Sequence, residues 1–152
     1  MLRDTIPGSS QQFKQDPTTG VLLFYDQSRS MFISANRETF QYGIDHKNIN
    51  RSMWMKVSGN VNTLTNGIII PRNGLITCVS VSTQNVTTNC IFRIRSSITG
   101  ADIITISLSG STFEIDDSLS VNINKDDYLR VYADVISGQI DYPILNLEIA
   151  WR

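Results

Sequence analysis

Apolar residues recur at every second position through the last third of the chain. They are Leu119, Val121 and Ile123, then Leu129, Val131 and Ala133, and then Leu145, Leu147, Ile149 and Trp151. A period of two is typical of strands that bury one face and expose the other. The pattern predicts an all-β fold, and it indicates that residues 145–151 are a closing core strand rather than a binding motif.

Turn-forming residues divide residues 67–152 into short strands, spaced at roughly the 8–12 residue interval of β-sandwiches. Residues 20–58 form a leading meander of shorter strands separated by polar turns. We therefore predict a single domain over residues 20–152, an antiparallel β-sandwich of jelly-roll-like topology. The whole chain, at 152 residues, is long enough to bury a sizeable core without disulfides or metals.

Residues 1–19 are polar and show no periodicity, so they are predicted to form an extended N-terminal arm. Such a segment cannot build a core of its own, and we expect a neighbouring subunit or a larger assembly to hold it. Its candidate contact residues are Leu2, Ile6, Phe13 and Lys14. Because the other end of the chain is expected to lie in the core, attachment is expected at this arm.

Two local patterns predict hairpins. Asn73-Gly74 stands between apolar runs and is a strong signal for a tight turn. The only two cysteines, Cys78 and Cys90, flank a turn near residues 84–87, where hairpin pairing would bring them close together. Without a secretion signal they are interpreted as small buried hydrophobic residues, and a disulfide between them is left open.

Charge and hydropathy exclude several classes of partner. Thirteen Lys and Arg residues stand against 14 Asp and Glu, for a formal net charge of −1, so no global field draws the protein to nucleic acid or to anionic lipid. No stretch approaches the ~18 apolar residues of a membrane span. The N-terminus has no apolar segment like that of a signal peptide. We expect synthesis in a cytoplasm and partners recognised by shape.

Residues that usually announce catalysis are sparse. His46 is the only histidine and lies in a polar loop, there is no Gly-x-Ser-x-Gly motif, and the cysteines fall in strand patterns. Two cysteines and a distant histidine do not make a zinc site. The sequence therefore predicts no enzyme activity, no metal site and no cofactor.

Carboxylates cluster at the two ends of the strand that begins near residue 119. Calcium binding or a glycosidase acid pair would need them to converge. The two ends of such a strand lie roughly 15 Å apart at ~3.3 Å per residue, so we interpret these acids as turn residues and leave calcium open. They are Glu114, Asp116 and Asp117 on one side and Asp126 and Asp127 on the other.

Arginine and tyrosine side chains share strand faces opposite the predicted core. Tyr128, Arg130 and Tyr132 alternate with Leu129, Val131 and Ala133, and Arg93 and Arg95 alternate with apolar residues in another strand. Tyrosine and arginine are enriched in the cores of protein interfaces. Tyr128, Arg130, Tyr132, Arg93 and Arg95 are therefore predicted to lie at a subunit interface.

Four segments resemble, in order, a family of structural proteins from tailed bacteriophages. Residues 25–34 (YDQSRSMFIS) resemble its YDxTRxKWLS segment, and residues 39–43 (TFQYG) its xxFGxxG strand. Residues 67–77 (GIIIPRNGLIT) resemble its GYxMPRDGxIT hairpin, and residues 147–152 (LEIAWR) its EIAWR ending. Met31-Phe32 replaces the usual Lys-Trp, and Ile68 replaces an aromatic residue. Both changes keep the apolar character.

This resemblance implies a non-enzymatic virion component that forms homotrimers of β-sandwich heads. Some such proteins decorate the capsid as cement proteins, and others belong to fibres or tails. An extended arm suits a cement protein lying across the major capsid protein on the capsid surface, which is the leading hypothesis. The alternative is a tail-fibre or receptor-binding head that recognises a host surface glycan through the loops at residues 43–50 and 59–66.

Overall fold

The computed structural model describes residues 13–18, 20–57, 60–61, 67–86 and 89–152. Strands connected by turns and loops make up this part of the chain, and no described segment forms a helix that could cross a membrane. The strands are β1 (Phe13–Gln15), β2 (Leu22–Asp26), β3 (Met31–Ser34), β4 (Arg37–Gly43), β5 (Met53–Trp54), β6 (Lys56–Val57), β7 (Asn60–Val61), β8 (Ile68–Ile69), β9 (Gly74–Ser82), β10 (Asn85–Val86), β11 (Asn89–Ser96), β12 (Asp102–Ser109), β13 (Phe113–Asp116), β14 (Val121–Ile123), β15 (Tyr128–Ser137), β16 (Ile140–Asp141) and β17 (Ile144–Trp151).

Two antiparallel sheets form the body of the protein. The five-stranded sheet has the order β12-β11-β15-β5, with β8 also paired to β15. The seven-stranded sheet has the order β13-β9-β17-β4-β6-β7, with β14 also paired to β9. A three-stranded sheet of β1, β2 and β3 and a β10-β16 pair complete the structure. The predicted all-β antiparallel sandwich is confirmed.

The core lies between the two large sheets and is built by the alternating strands. Alternate residues of β9 and β17 face alternate residues of β11, β12 and β15 in one cluster of buried side chains. Tyr42 is fully buried in this cluster, and its hydroxyl donates to the Leu129 carbonyl at 2.9 Å. Burial raises the pKa of Tyr42 far above its usual value, so the hydroxyl is protonated and can donate this bond at neutral pH.

The meander β1–β3 packs on the outer face of the seven-stranded sheet. Its apolar contact is small, since Ile33 meets only Leu75 and Ala150 among fully buried partners. The Trp151 backbone N–H donates to the Ser34 hydroxyl at 2.9 Å. A second small sheet with so little core needs further attachment to stay in place.

Arg29, in the turn between β2 and β3, supplies that attachment. Its Nε donates to the Leu119 carbonyl at 2.8 Å, and its Nη2 donates to the carbonyls of Thr77 at 3.1 Å and Asp117 at 2.9 Å. Its Nη1 lies 2.8 Å from Asp26 Oδ2. One planar guanidinium thus joins the meander to two segments of the sandwich, a fork geometry that a lysine cannot reproduce.

Asp26 holds the Arg29 turn in shape. Its Oδ1 accepts hydrogen bonds from the backbone N–H of Ser28 at 3.0 Å and of Arg29 at 3.2 Å. Partial burial opposes its ionisation, but the hydrogen bonds from Ser28 and Arg29 outweigh that effect and keep the pKa of Asp26 below its usual value. The carboxylate is therefore charged at neutral pH and can form its ion pair with Arg29.

The predicted Asn73-Gly74 hairpin is wrong. β8 and β9 lie in different sheets, because residues 70–73 cross the end of the sandwich instead of turning back. The crossing is fixed by Ile70, whose N–H donates to the Asp127 carbonyl at 2.9 Å, and by Asn73, whose Oδ1 accepts the Lys125 N–H at 2.8 Å. These long-range bonds override the local turn preference.

Gly74 is needed for close packing rather than for a turn. A Cβ at this position would lie 2.9 Å from Trp151 Cε3 and 3.0 Å from the Ala150 carbonyl oxygen. Trp151, directly opposite in β17, is 3% exposed. The absence of a side chain at Gly74 therefore lets the indole cover the end of the core.

The cysteine hairpin is also wrong. Cys78 lies in β9 and Cys90 in β11, which belong to opposite sheets, and both thiols are free. Cys90 is buried, as expected of a small hydrophobic residue, whereas Cys78 is half-buried on the outer face of its sheet. Non-local pairing of β9 with β17 takes the place of the predicted local pairing.

The folded region begins before the predicted boundary at residue 20. β1 pairs with β2, with Phe13 opposite Phe24, and the Lys14 ammonium lies 4.2 Å from the centre of the Phe32 ring. Phe13 and Lys14 therefore belong to the meander sheet rather than to a free arm. Leu2 and Ile6 fall outside the described residues.

Replacing Arg29 with lysine is expected to destabilise the protein by about 2 kcal/mol, because the carbonyls of Leu119, Thr77 and Asp117 lose charge-assisted hydrogen bonds. Urea unfolding would measure the change. Arg51→Lys, at an exposed position, is the matched control and should stay within about 0.5 kcal/mol of the parent. Equal effects of the two substitutions would contradict the role given to Arg29.

Gly74→Ala is expected to lower stability by about 1–3 kcal/mol, because the new methyl group overlaps Trp151 and the β17 backbone. Gly43→Ala is the control, since a Cβ there would meet only the Pro143 carbonyl oxygen at an ordinary 3.6 Å. Thermal unfolding of both variants would compare them. An unchanged midpoint for Gly74→Ala would refute the packing argument.

Candidate interaction surface

The outer face of the five-stranded sheet concentrates aromatic and charged side chains. We call it the Trp54 face, and its members come from four strands. Cross-strand pairing places Arg93 opposite Tyr132 and Arg95 opposite Arg130, while Tyr132 pairs with Trp54 on its other side. The members of the Trp54 face are Trp54, Arg93, Arg95, Asp102, Tyr128, Arg130, Tyr132 and Asp134.

Trp54 lies in β5 at the end of the strand order, and its side chain contacts three other members of the face. Its ring meets the Tyr132 ring edge-on, with centroids 5.0 Å apart at 61°. The guanidinium carbon of Arg95 lies 5.7 Å from the Trp54 ring, and that of Arg130 lies 5.4 Å from it. Cation–π attraction to one indole offsets the repulsion expected between two arginines directly opposite in a sheet.

Carboxylates form ion pairs with two of the three arginines of the face. Arg93 Nη2 lies 2.9 Å from Asp134 Oδ2 and its Nη1 3.5 Å from Asp102 Oδ2, while Arg95 Nε lies 2.7 Å from Asp102 Oδ1. A register shift between Ile94 and Arg95 sets Arg95 opposite Asp102. The result is a chain of alternating charges that fixes four side chains on a solvent-facing sheet.

Of the two acids in this row of alternating charges, Asp134 accepts more hydrogen bonds. The Ser52 hydroxyl donates to its Oδ1 at 2.9 Å, and Arg93 Nε to its Oδ2 at 3.1 Å. The Ser52 hydrogen bond, followed by the bond and charge of Arg93, keeps the pKa of Asp134 below its usual value. The same contact raises the pKa of Arg93. Both groups are charged across the physiological range.

Exposed apolar side chains lie at the two ends of the face. Ile69 is directly opposite Tyr128 in the β8-β15 pair, and the two are 56% and 36% exposed. Ile136 follows at the other end of β15 and is 58% exposed. Apolar residues around an aromatic and arginine centre are typical of surfaces that bind another protein.

The structure brings all five predicted interface residues together on one face. Leu129, Val131 and Ala133 point into the core, as the alternation predicted. Arg130 differs from a solvated cation, because it is only 5% exposed and lies against Trp54. Trp54 falls within the predicted meander at residues 20–58 and is not among the predicted interface residues, because its pairing with Tyr132 joins segments 78 residues apart.

The acids considered for metal binding serve as turn and cap residues. Asp127 is buried and accepts hydrogen bonds from the hydroxyls of Ser96 and Ser97 and the backbone N–H of Ile98. Burial opposes its ionisation, but these bonds prevail and lower its pKa. Asp116 caps Ser118 in the same way at an exposed turn. Within the described ranges, no three His, Cys, Asp or Glu side chains converge to hold a metal ion.

Comparisons with known proteins add little to this geometry. No protein-family model matches the chain. No curated protein matches it either. Among solved structures, the chain is similar to the crystal structure of FlhE, with a TM-score of 0.37 and 13% identity over 78% of this chain and 99% of that one. A similarity at that level supports no inference about function.

Asp134→Asn is expected to cost at most about 1 kcal/mol at neutral pH, because the Arg93–Asp134 pair is partly exposed. A depressed pKa stabilises the fold above the ordinary pKa of the acid, and this contribution disappears as pH falls through the folded-state value. The variant should therefore lose less stability than the parent on acidification below about pH 4. Unfolding free energies measured against pH would test this.

Asp117→Asn, an exposed acid that contributes only its carbonyl to Arg29, is the control for that experiment. Its pH profile should follow the parent. If Asp134→Asn also follows the parent, the charge chain on the Trp54 face contributes nothing to acid stability.

Proposed function

We propose that this protein is a non-enzymatic virion structural protein of a tailed bacteriophage, a homotrimeric decoration protein that stabilises the capsid. In this proposal the Trp54 face forms the subunit interface. The N-terminal segment contacts the major capsid protein on the capsid surface, after assembly in the host cytoplasm. The arrangement of the Trp54 face is the observation that supports the proposal best.

The chemistry of that face suits a protein partner. Two of its three arginines, Arg93 and Arg95, form ion pairs with Asp102 and Asp134 within the same chain, so the face carries a small net charge when a partner covers it. The side chains are already held by cation–π, ionic and edge-on aromatic contacts. Little side-chain entropy remains to be lost on association.

The two thiols support a structural role over nucleophilic catalysis. Burial, with a smaller contribution from Asp134, raises the pKa of Cys90 to about 12. Burial and the nearby carboxylates, Glu148 first among them, raise the pKa of Cys78. Both side chains are therefore neutral thiols rather than nucleophilic thiolates at physiological pH.

The double variant Tyr128→Asp/Ile136→Asp should convert the proposed trimer to monomers, because each carboxylate would lose its hydration in the interface. Both positions are exposed, so the monomer fold should persist. Phe113→Asp/Ile115→Asp, with exposed apolar residues on the other large sheet, is the matched control and should stay trimeric. Sedimentation velocity would distinguish these outcomes, and a trimeric Tyr128→Asp/Ile136→Asp variant would exclude this interface.

Removing residues 1–12 should abolish binding to purified capsids while leaving the trimer folded. The truncation stops before β1, because the pairing of β1 with β2 makes residues 13–15 part of the meander sheet. A second truncation of residues 1–19 separates the two contributions, since it should also destabilise the meander. Co-sedimentation with capsids would measure occupancy. Full occupancy after removal of residues 1–12 would rule out capsid attachment through Leu2 and Ile6.

A further inference from the structure

A groove of about 420 Å³ opens on the outer face of the seven-stranded sheet, away from the Trp54 face. Its floor is formed by the end of β4 and the start of β17, where Gly43 pairs with Ile144. Lys56, opposite Gly43 on the other side, stands at one wall. The volume lies within the range of roughly 300–1,000 Å³ that is usual for small-molecule sites.

Tyr142 forms the opposite wall in an unusual backbone conformation. Its φ is 48°, in the left-handed region that bulky L residues rarely adopt. It stands between β16 and β17, directly before Pro143, and both residues line the groove. A costly conformation persists only where the surroundings enforce it, and such positions cluster at functional sites.

Hydrogen bonds from the loop at residues 44–49 enforce the position of Tyr142. The Tyr142 N–H donates to the His46 carbonyl at 2.9 Å, and the Ile44 N–H donates to the Pro143 carbonyl at 3.1 Å. The Asn48 N–H donates to Asp141 Oδ1 at 2.6 Å. The loop and residues 140–143 thus hold each other, and the groove is built before any ligand arrives.

The lining is polar on one side, apolar on the other, and balanced in charge. Gln41, Asp45 and Lys56 offer an amide, a carboxylate and an ammonium group, while Tyr142 and Ile144 offer aromatic and aliphatic surface. Asp45 and Lys56 form no ion pair with another described residue. The lining carries one charge of each sign, and the Lys47 ammonium group lies beside it, 5.8 Å from the centre of the Tyr142 ring. This low net charge disfavours a ligand with strong net charge and leaves hydrogen-bonding capacity for a neutral one.

We propose that this groove binds a neutral saccharide unit. Sugar hydroxyls donate to the Asp45 carboxylate and the Gln41 amide oxygen and accept from the Lys56 ammonium group, so each polar group of the groove finds a partner. The C–H face of a pyranose ring packs on an aromatic ring, and Tyr142 presents one. This activity is additional to the proposed structural role, and capsid attachment does not depend on it.

The test is a titration of the ¹⁵N-labelled full chain with neutral methyl glycosides and neutral oligosaccharides, followed by amide chemical shifts. The expected shifts fall at residues 44–47, Lys56, Tyr142 and Ile144. Response to methyl glycosides indicates recognition of a single sugar unit, and response to oligosaccharides alone indicates recognition of a chain; both support the site. Shifts confined to other residues, no response to any neutral sugar, or binding only of sialylated or sulfated glycans would overturn it.

Two variants link the response to the groove. Tyr142→Gly keeps the positive φ at no steric cost and removes the ring, so affinity should fall about tenfold as one aromatic contact is lost. Asp45→Asn keeps the shape and removes the charge, and should also weaken binding. Phe113→Ala, at an exposed aromatic residue of β13, is the control and should bind as the parent does. Unchanged affinity in both groove variants would refute the assignment.

Discussion

The placement of the meander sheet depends on the guanidinium of Arg29. The apolar contact between the meander and the sandwich is limited to a cluster around Ile33, Leu75 and Ala150, which is small for a three-stranded sheet. Arg29 adds directional bonds to three carbonyls that belong to β9 and to the loop before β14. Since β1 is the outer strand of the meander, this one side chain also determines where the preceding N-terminal segment leaves the domain. In the proposed capsid complex, loosening Arg29 would therefore weaken attachment without touching either interface.

Long alternating strands could be predicted from the sequence because their pattern depends only on burial of one face. β9, β11, β12, β15 and β17 follow it, and they supply most of the core. Turn chemistry was a poorer guide where the chain changes sheets. The Asn73-Gly74 pair has the residues of a tight turn, yet Pro71 lacks a backbone N–H, and Gly74 is required by Trp151 rather than by a turn. The cysteine pairing failed for a related reason: the neighbours of β9 are β13, β14 and β17, all far along the chain.

The candidate surfaces also differ in how much of each could be predicted from the sequence. Arginine and tyrosine residues on alternating positions of β11 and β15 could be assigned to one face from sequence, because a strand with a known core side has a known outer side. Asp134 falls on the same face by this alternation, but its ion pair with Arg93 and the position of Trp54 beside Tyr132 depend on cross-strand register that no local pattern reveals. The groove at Tyr142 was harder still to predict from the sequence. It depends on backbone pairing of residues 44–49 with residues 140–143 and on a positive φ at an aromatic residue, whereas the sequence named only the loop at residues 43–50, as a glycan-recognition loop in the alternative hypothesis.

The two proposed surfaces are compatible because they lie on opposite sides of the sandwich. The Trp54 face is the outer side of the five-stranded sheet, and the groove is on the outer side of the seven-stranded sheet, with packed sheets about 10 Å apart between them. The meander covers the Leu75 and Ala150 end of the seven-stranded sheet, whereas the groove lies at the Ile144 end. The proposed trimer, joined through the Trp54 face, would therefore leave each groove uncovered, and the meander lies at the end of the sheet away from the groove. The proposed assembly and the proposed ligand binding depend on separate residues, so variants at one surface should leave the other intact.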